Sequence, residues 1–179
     1  VTTFVKMVAM SSACILLASC ATPSASPQAI VTEQQCKATN LHVEFVSETT
    51  PLWKSKVEQS ALAANAVLSS SEFSQACASS TLQRTNGKPV AQVCHEVMCS
   101  DKQLIKLGFY SDPGTRAIAY ESDGAIYLNI EQESAGSPGN LVHEFTHTLG
   151  YTHFTNWAFL GRKSVPYVVG NLVDSQIQK

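Results

Sequence analysis

Residues 143–153 constrain this chain more than any other stretch: His143-Glu144-Phe145-Thr146-His147-Thr148-Leu149-Gly150-Tyr151-Thr152-His153. Histidines at 143 and 147 lie on one face of a helix about one turn apart, which lets both imidazoles reach a single metal ion. Gly150 stands where that helix has to stop, because glycine accepts the left-handed backbone that ends a helix and turns the chain. The turn returns His153 as a third ligand. Three neutral nitrogen ligands with an open fourth position fit a catalytic zinc site, whereas structural zinc sites are closed by four ligands, usually including cysteine. No cysteine lies near this stretch.

The pattern H-E-x-x-H-x-x-G-x-x-H resembles the extended zinc motif of the metzincin metallopeptidases at every defined position. Five such positions coincide by chance on the order of once in 10⁵ chains of this length, so a helix that merely happens to carry histidines is a poor account of it. The resemblance implies an α+β, zincin-like domain: a twisted sheet of about four strands, a backing helix, an active-site zinc helix and a very small C-terminal subdomain. It also implies one catalytic Zn2+ ion on His143, His147 and His153. The implied reaction is endopeptidase hydrolysis of a peptide or protein substrate by a zinc-bound water, with Glu144 as general base. A carboxylate directly after a ligating histidine can reach the water without binding the metal itself. The alternative is a non-catalytic, lipid-anchored zinc-binding or envelope-interaction protein on the same fold.

Metzincins carry a methionine beneath the metal, downstream of the third histidine, and this chain has none after Met98. The nearest substitute is Ser164-Val165-Pro166-Tyr167, with Val165 as the apolar floor. Tyr167 then falls where astacin-like and serralysin-like enzymes place a tyrosine that helps stabilise the tetrahedral intermediate. The family also binds substrate along a sheet-edge strand. By that resemblance Ala125, Ile126, Tyr127 and Leu128, within the strand 125–130, are the expected substrate-binding residues; the alternative is an ordinary inner strand.

Residues 1–19 pair one basic residue with an apolar run too short to span a bilayer and a close of small residues, the pattern of an export signal. Leu17-Ala18-Ser19-Cys20 resembles a bacterial lipobox, so Cys20 is the expected lipid anchor and the cell envelope the expected location. Ala21 after it lacks the aspartate that often retains such proteins at the inner membrane, which points to the outer membrane, facing periplasm or exterior. A plain secretory signal would instead release a soluble protein. Residues 20–40, rich in Ala, Ser, Thr, Pro and Gln, read as a tether, and 41–179 as the catalytic domain. With a net charge of −2 and scattered Lys and Arg, the chain has no basic field for nucleic acid.

Cys36, Cys77, Cys94 and Cys99 make an even set in an oxidising compartment, and two disulfides are expected. Three connectivities exist; the short loop favours Cys94–Cys99, with Cys36–Cys77 as the other pair.

The local signals are a strand at 41–45 and a helix from Pro51 through Leu68, continuing or restarting past Ser69–Ser71. A short strand near 90–93 follows, then strands at 104–110, 117–121 and 125–130, the last two joined across Asp123-Gly124. Ser137 and Pro138 then open the zinc helix. His95-Glu96 starts another His-Glu pair, but Cys99 occupies the position a second helical histidine would need.

Overall fold

The computed structural model describes residues 38–116, 118–153 and 161–178, all within one compact unit spanning Gln35–Lys179. The signal segment, Cys20, Cys36 and most of the expected tether lie outside the described residues. Thr39 already belongs to the domain, since its backbone N–H donates to Met98 O at 2.7 Å and its hydroxyl to Val97 O at 2.9 Å. No helix among the described residues is long and apolar enough to cross a membrane.

The architecture is α+β, a four-stranded mixed sheet with helices. The strands are β1 (His42–Phe45), β2 (Leu104–Tyr110), β3 (Ala119–Ser122) and β4 (Ala125–Asn129), in the order β1-β2-β4-β3. β1, β2 and β4 run parallel, and β3 is the antiparallel edge. Asp123 and Gly124, at φ +53° and +72°, form the two-residue turn between β3 and β4, where paired left-handed residues match the twist of the strands. Alternate residues Ile105, Leu107, Ile126 and Leu128 are buried in a hydrophobic core that also takes in Val57, Leu68 and Phe145 from the helices.

Helix α1 (Pro51–Leu68) starts as its sequence dictates, with Thr50 capping Trp53 N and Pro51 in the first turn. The chain restarts rather than continuing: Ser70 caps α2 (Ser71–Ala78) by accepting from Phe73 N at 3.1 Å. α3 (Val90–Met98) replaces the strand expected at 90–93. Val93, Cys94 and Val97 are buried at helical spacing, a period that a four-residue window around 90–93 is too short to reveal. A 3₁₀ turn at Glu133–Gly136 leads into α4 (Pro138–Thr148), and α5 (Val165–Ile177) packs along α4.

The disulfide pairing differs from the expected one: Cys77 on α2 is bonded to Cys94 on α3, with Cα atoms 5.9 Å apart. Both expected pairs, Cys36–Cys77 and Cys94–Cys99, are thereby excluded. The helix is the reason, because residues five apart on it point to different sides, and Cys94 faces the buried α2 contact. Cys99 is also disulfide-bonded.

Candidate metal centre

Helix α4 presents His143, Glu144 and His147, and both of its ends are built with care. Ser137 accepts from Asn140 N at 3.1 Å, and Asp174 of α5 accepts from Gly139 N at 2.7 Å. At the other end Gly150 sits at φ +88°, with Gly150 N donating to His147 O at 2.8 Å and Tyr151 N to Thr146 O at 3.1 Å. This is the Schellman arrangement, and it turns the chain so that His153 comes back beside the helix.

The three imidazoles form a near-equilateral cluster. Ring centroids are 5.1 Å apart for His143 and His147, 5.2 Å for His143 and His153, and 4.9 Å for His147 and His153. One ring nitrogen from each can be chosen so that all three lie within 4.8 Å of one another. The outer nitrogens of two rings are tied to backbone. His147 Nδ1 lies 2.7 Å from Tyr151 O, and a carbonyl can only accept, so Nδ1 carries the proton and Nε2 keeps its lone pair. His143 is likewise bonded to the Pro166 carbonyl at the start of α5. Burial, reinforced by His147 and His153, pulls the His143 pKa down to about 3 against the opposing pull of that carbonyl; burial lowers His147 as well. Among the described residues no thiolate or carboxylate joins the cluster, and a set of imidazole donors, with His143 and His147 held neutral and tied to backbone carbonyls, fits a divalent ion such as zinc.

Glu144 is not in the cluster but stands beside it in the cleft. Burial, with a contribution from nearby Glu121, pushes its pKa up to about 7. Tyr167, in the first turn of α5, is 39% exposed, its ring 4.7 Å from that of His143 and 5.0 Å from that of His153. Val165 is fully buried at the start of the same helix.

Two cavities of about 660 Å³ each flank the histidines and share Ala119, Glu144 and His153 in their walls. One runs toward Glu121 and Lys102, the other toward Arg116, Asn171 and Tyr167. Strand β3 borders both. The pairing of Tyr120 with Tyr127, together with the bond from Asn129 N to Ile118 O at 2.8 Å, turns alternate residues inward to β4. The backbone N–H and C=O of Ala119 and Glu121 therefore face the open edge. The expected edge strand is corrected accordingly: Ala125, Ile126, Tyr127 and Leu128 lie in β4, hydrogen-bonded on both sides between β2 and β3. A hairpin signal identifies two adjacent strands but not which of them ends the sheet.

Sequence reasoning also missed the Pro166 carbonyl and the carboxylates of Glu96 and Glu121, none of which carries a local signal. Compared with protein-family profiles, with curated proteins and with solved structures, the chain matches none.

Proposed function

We propose that this chain is a zinc-dependent endopeptidase of metzincin-like character, with His143, His147 and His153 as ligands and Glu144 as general base. The observation that carries the reading is a half-buried carboxylate, its pKa pushed up by desolvation to about 7, standing beside, and outside, a cluster of three imidazoles. A purely metal-holding protein has no use for it.

Zinc held there would supply Lewis acidity, lowering the pKa of water toward neutrality and polarising the scissile carbonyl. Glu144, with a proton affinity matched to neutral pH, takes the proton as water adds to the carbonyl carbon. It returns that proton to the amine nitrogen as the C–N bond breaks. Tyr167, whose ring lies against His143 and His153, offers its phenol O–H to the developing oxyanion. The open backbone groups of Ala119 and Glu121 suit an extended substrate added antiparallel to β3. Cavities on both sides of Glu144 give room for chain in both directions, which favours internal cleavage over trimming of ends.

On the same reading the Leu17–Cys20 lipobox tethers the domain to the bacterial envelope by lipid on Cys20. The test of the reaction is cleavage of a diverse peptide library by the zinc-loaded chain and by Glu144→Ala. Cleavage by the parent alone is expected; equal cleavage by both would remove Glu144 from the mechanism.

A further inference from the structure

The segment from Gln83 to Glu96 has no part in the chemistry above, yet it touches every residue of the turn that precedes His153. Asn86 Nδ2 donates to Gly150 O at 3.1 Å, and Arg84 Nη1 donates to Thr152 Oγ1 at 3.1 Å. Between them the buried Tyr151 donates its hydroxyl to Glu96 Oε2 at 2.7 Å. Glu96 is itself held by Lys88 Nζ at 2.6 Å and Gln92 Nε2 at 3.2 Å.

The same segment reaches the other side of the centre. Gln83 N donates to Lys163 O at 2.7 Å, and Gln83 forms a parallel bridge with Ser164, the N-cap of α5, one helical turn ahead of Tyr167. Its own shape is imposed rather than relaxed. Arg84 takes a left-handed φ of +58°, which a long side chain adopts only when surroundings fix it, while Asn86, at +55°, is a residue that tolerates this conformation in a turn. The Cys77–Cys94 disulfide and the buried Val93 and Val97 anchor the segment to the core.

We propose that this disulfide-anchored segment is a clasp that sets the strength of the metal centre, with Asn86 and Glu96 as positioning residues for the Gly150–Thr152 turn. The inference rests on the metal-centre reading. Tyr151 is the link, because its hydroxyl is fixed by Glu96 while its carbonyl takes the Nδ1 proton of His147. A turn ordered in advance brings His153 to the metal without an ordering cost at the moment of binding. Groups that orient ligands in this way are worth about 10–100-fold in metal affinity.

The experiment is zinc affinity of the full chain by competition with a chromophoric chelator. The variants are Asn86→Gly, Glu96→Ala and Glu96→Gln, with His143→Ala and His147→Ala as probes of the centre itself. Asn86→Gly keeps the backbone freedom that φ +55° demands and removes only the donor. Asn86→Gly and Glu96→Ala are each expected to weaken zinc binding by about tenfold or more, and Glu96→Gln, which keeps an acceptor for Tyr151, to recover most of the loss. The thermal midpoint of Asn86→Gly should fall more in zinc than in chelator, a difference that a merely structural role does not produce. Retention of parental zinc affinity, within about twofold, by Asn86→Gly and Glu96→Ala while the histidine variants lose it would overturn the clasp alone. Parental affinity in the histidine variants as well would overturn the metal-centre reading and the clasp with it.

Discussion

Replacing Gly170 by alanine isolates the contact on which the metal helix rests. A glycine inside α5 costs helix stability, about 0.5–1 kcal/mol relative to alanine, so its presence there needs a packing reason. That reason is α4: a Cβ at position 170 would stand 2.7 Å from Gly139 O and 3.2 Å from His143 Cβ. A Cβ on Gly139 would in turn collide with Asp174 and with Gly170 O. The two glycines let the helix backbones meet, and the same contact brings the Pro166 carbonyl to His143. Overpacking of this kind costs about 1–3 kcal/mol, against the helix gain just described, which at the middle of both ranges leaves a net loss of about 1 kcal/mol. For a domain of this size the thermal midpoint in chelator should fall by roughly 2–4 °C, measured by far-UV circular dichroism. Zinc affinity should fall as well, because α5 must back away from His143. A Gly170→Ala chain that melts higher than the parent, as helix propensity alone would dictate, refutes this account of the α4–α5 contact.

Three further outcomes follow from the same structure. Replacing Cys77 and Cys94 together by alanine removes a loop closure over a separation of 17 residues and should lower stability by about 3 kcal/mol in denaturant titration; an unchanged midpoint would mean the crosslink constrains little. Glu144 has a folded-state pKa of about 7 against an ordinary value of 4.5, so the metal-free protein binds more protons than the unfolded chain in that window and loses stability as pH rises through it. Glu144→Gln lacks this loss, and its advantage in chelator should grow between pH 4.5 and 7 and level off above, whereas a constant difference would contradict the raised pKa. Metabolic labelling with radioactive palmitate should mark the parent and not Cys20→Ser; label in both would dismiss the lipobox.

What could be read from the sequence was what local chemistry decides. The Ser137-Pro138 start of α4, the stop at Gly150, the Asp123-Gly124 turn and the spacing of Trp53, Val57, Ala61 and Ala64 each depend on a few neighbouring residues, and each stands as expected. The three histidines converge because one helical turn and one glycine suffice to bring them together. Long-range arrangements were not legible. β3 rather than β4 forms the edge because the chain places β4 next to β2, a choice between two adjacent strands that alternation leaves undetermined. The Cys77–Cys94 pairing depends on α3 being a helix, a period that the four residues at 90–93 are too few to display. Glu96 is the sharpest case: as the second half of a failed His-Glu pair it offers no signal, and its bond to Tyr151 spans 55 positions.

Zinc bound per chain, by elemental analysis of the purified and desalted protein alongside a chain with His143, His147 and His153 all replaced by alanine, tests the central claim most directly. One zinc per parent chain and none in the triple variant is the expected result. A parent free of zinc after equilibration with micromolar metal, or a triple variant that retains it, would contradict the account.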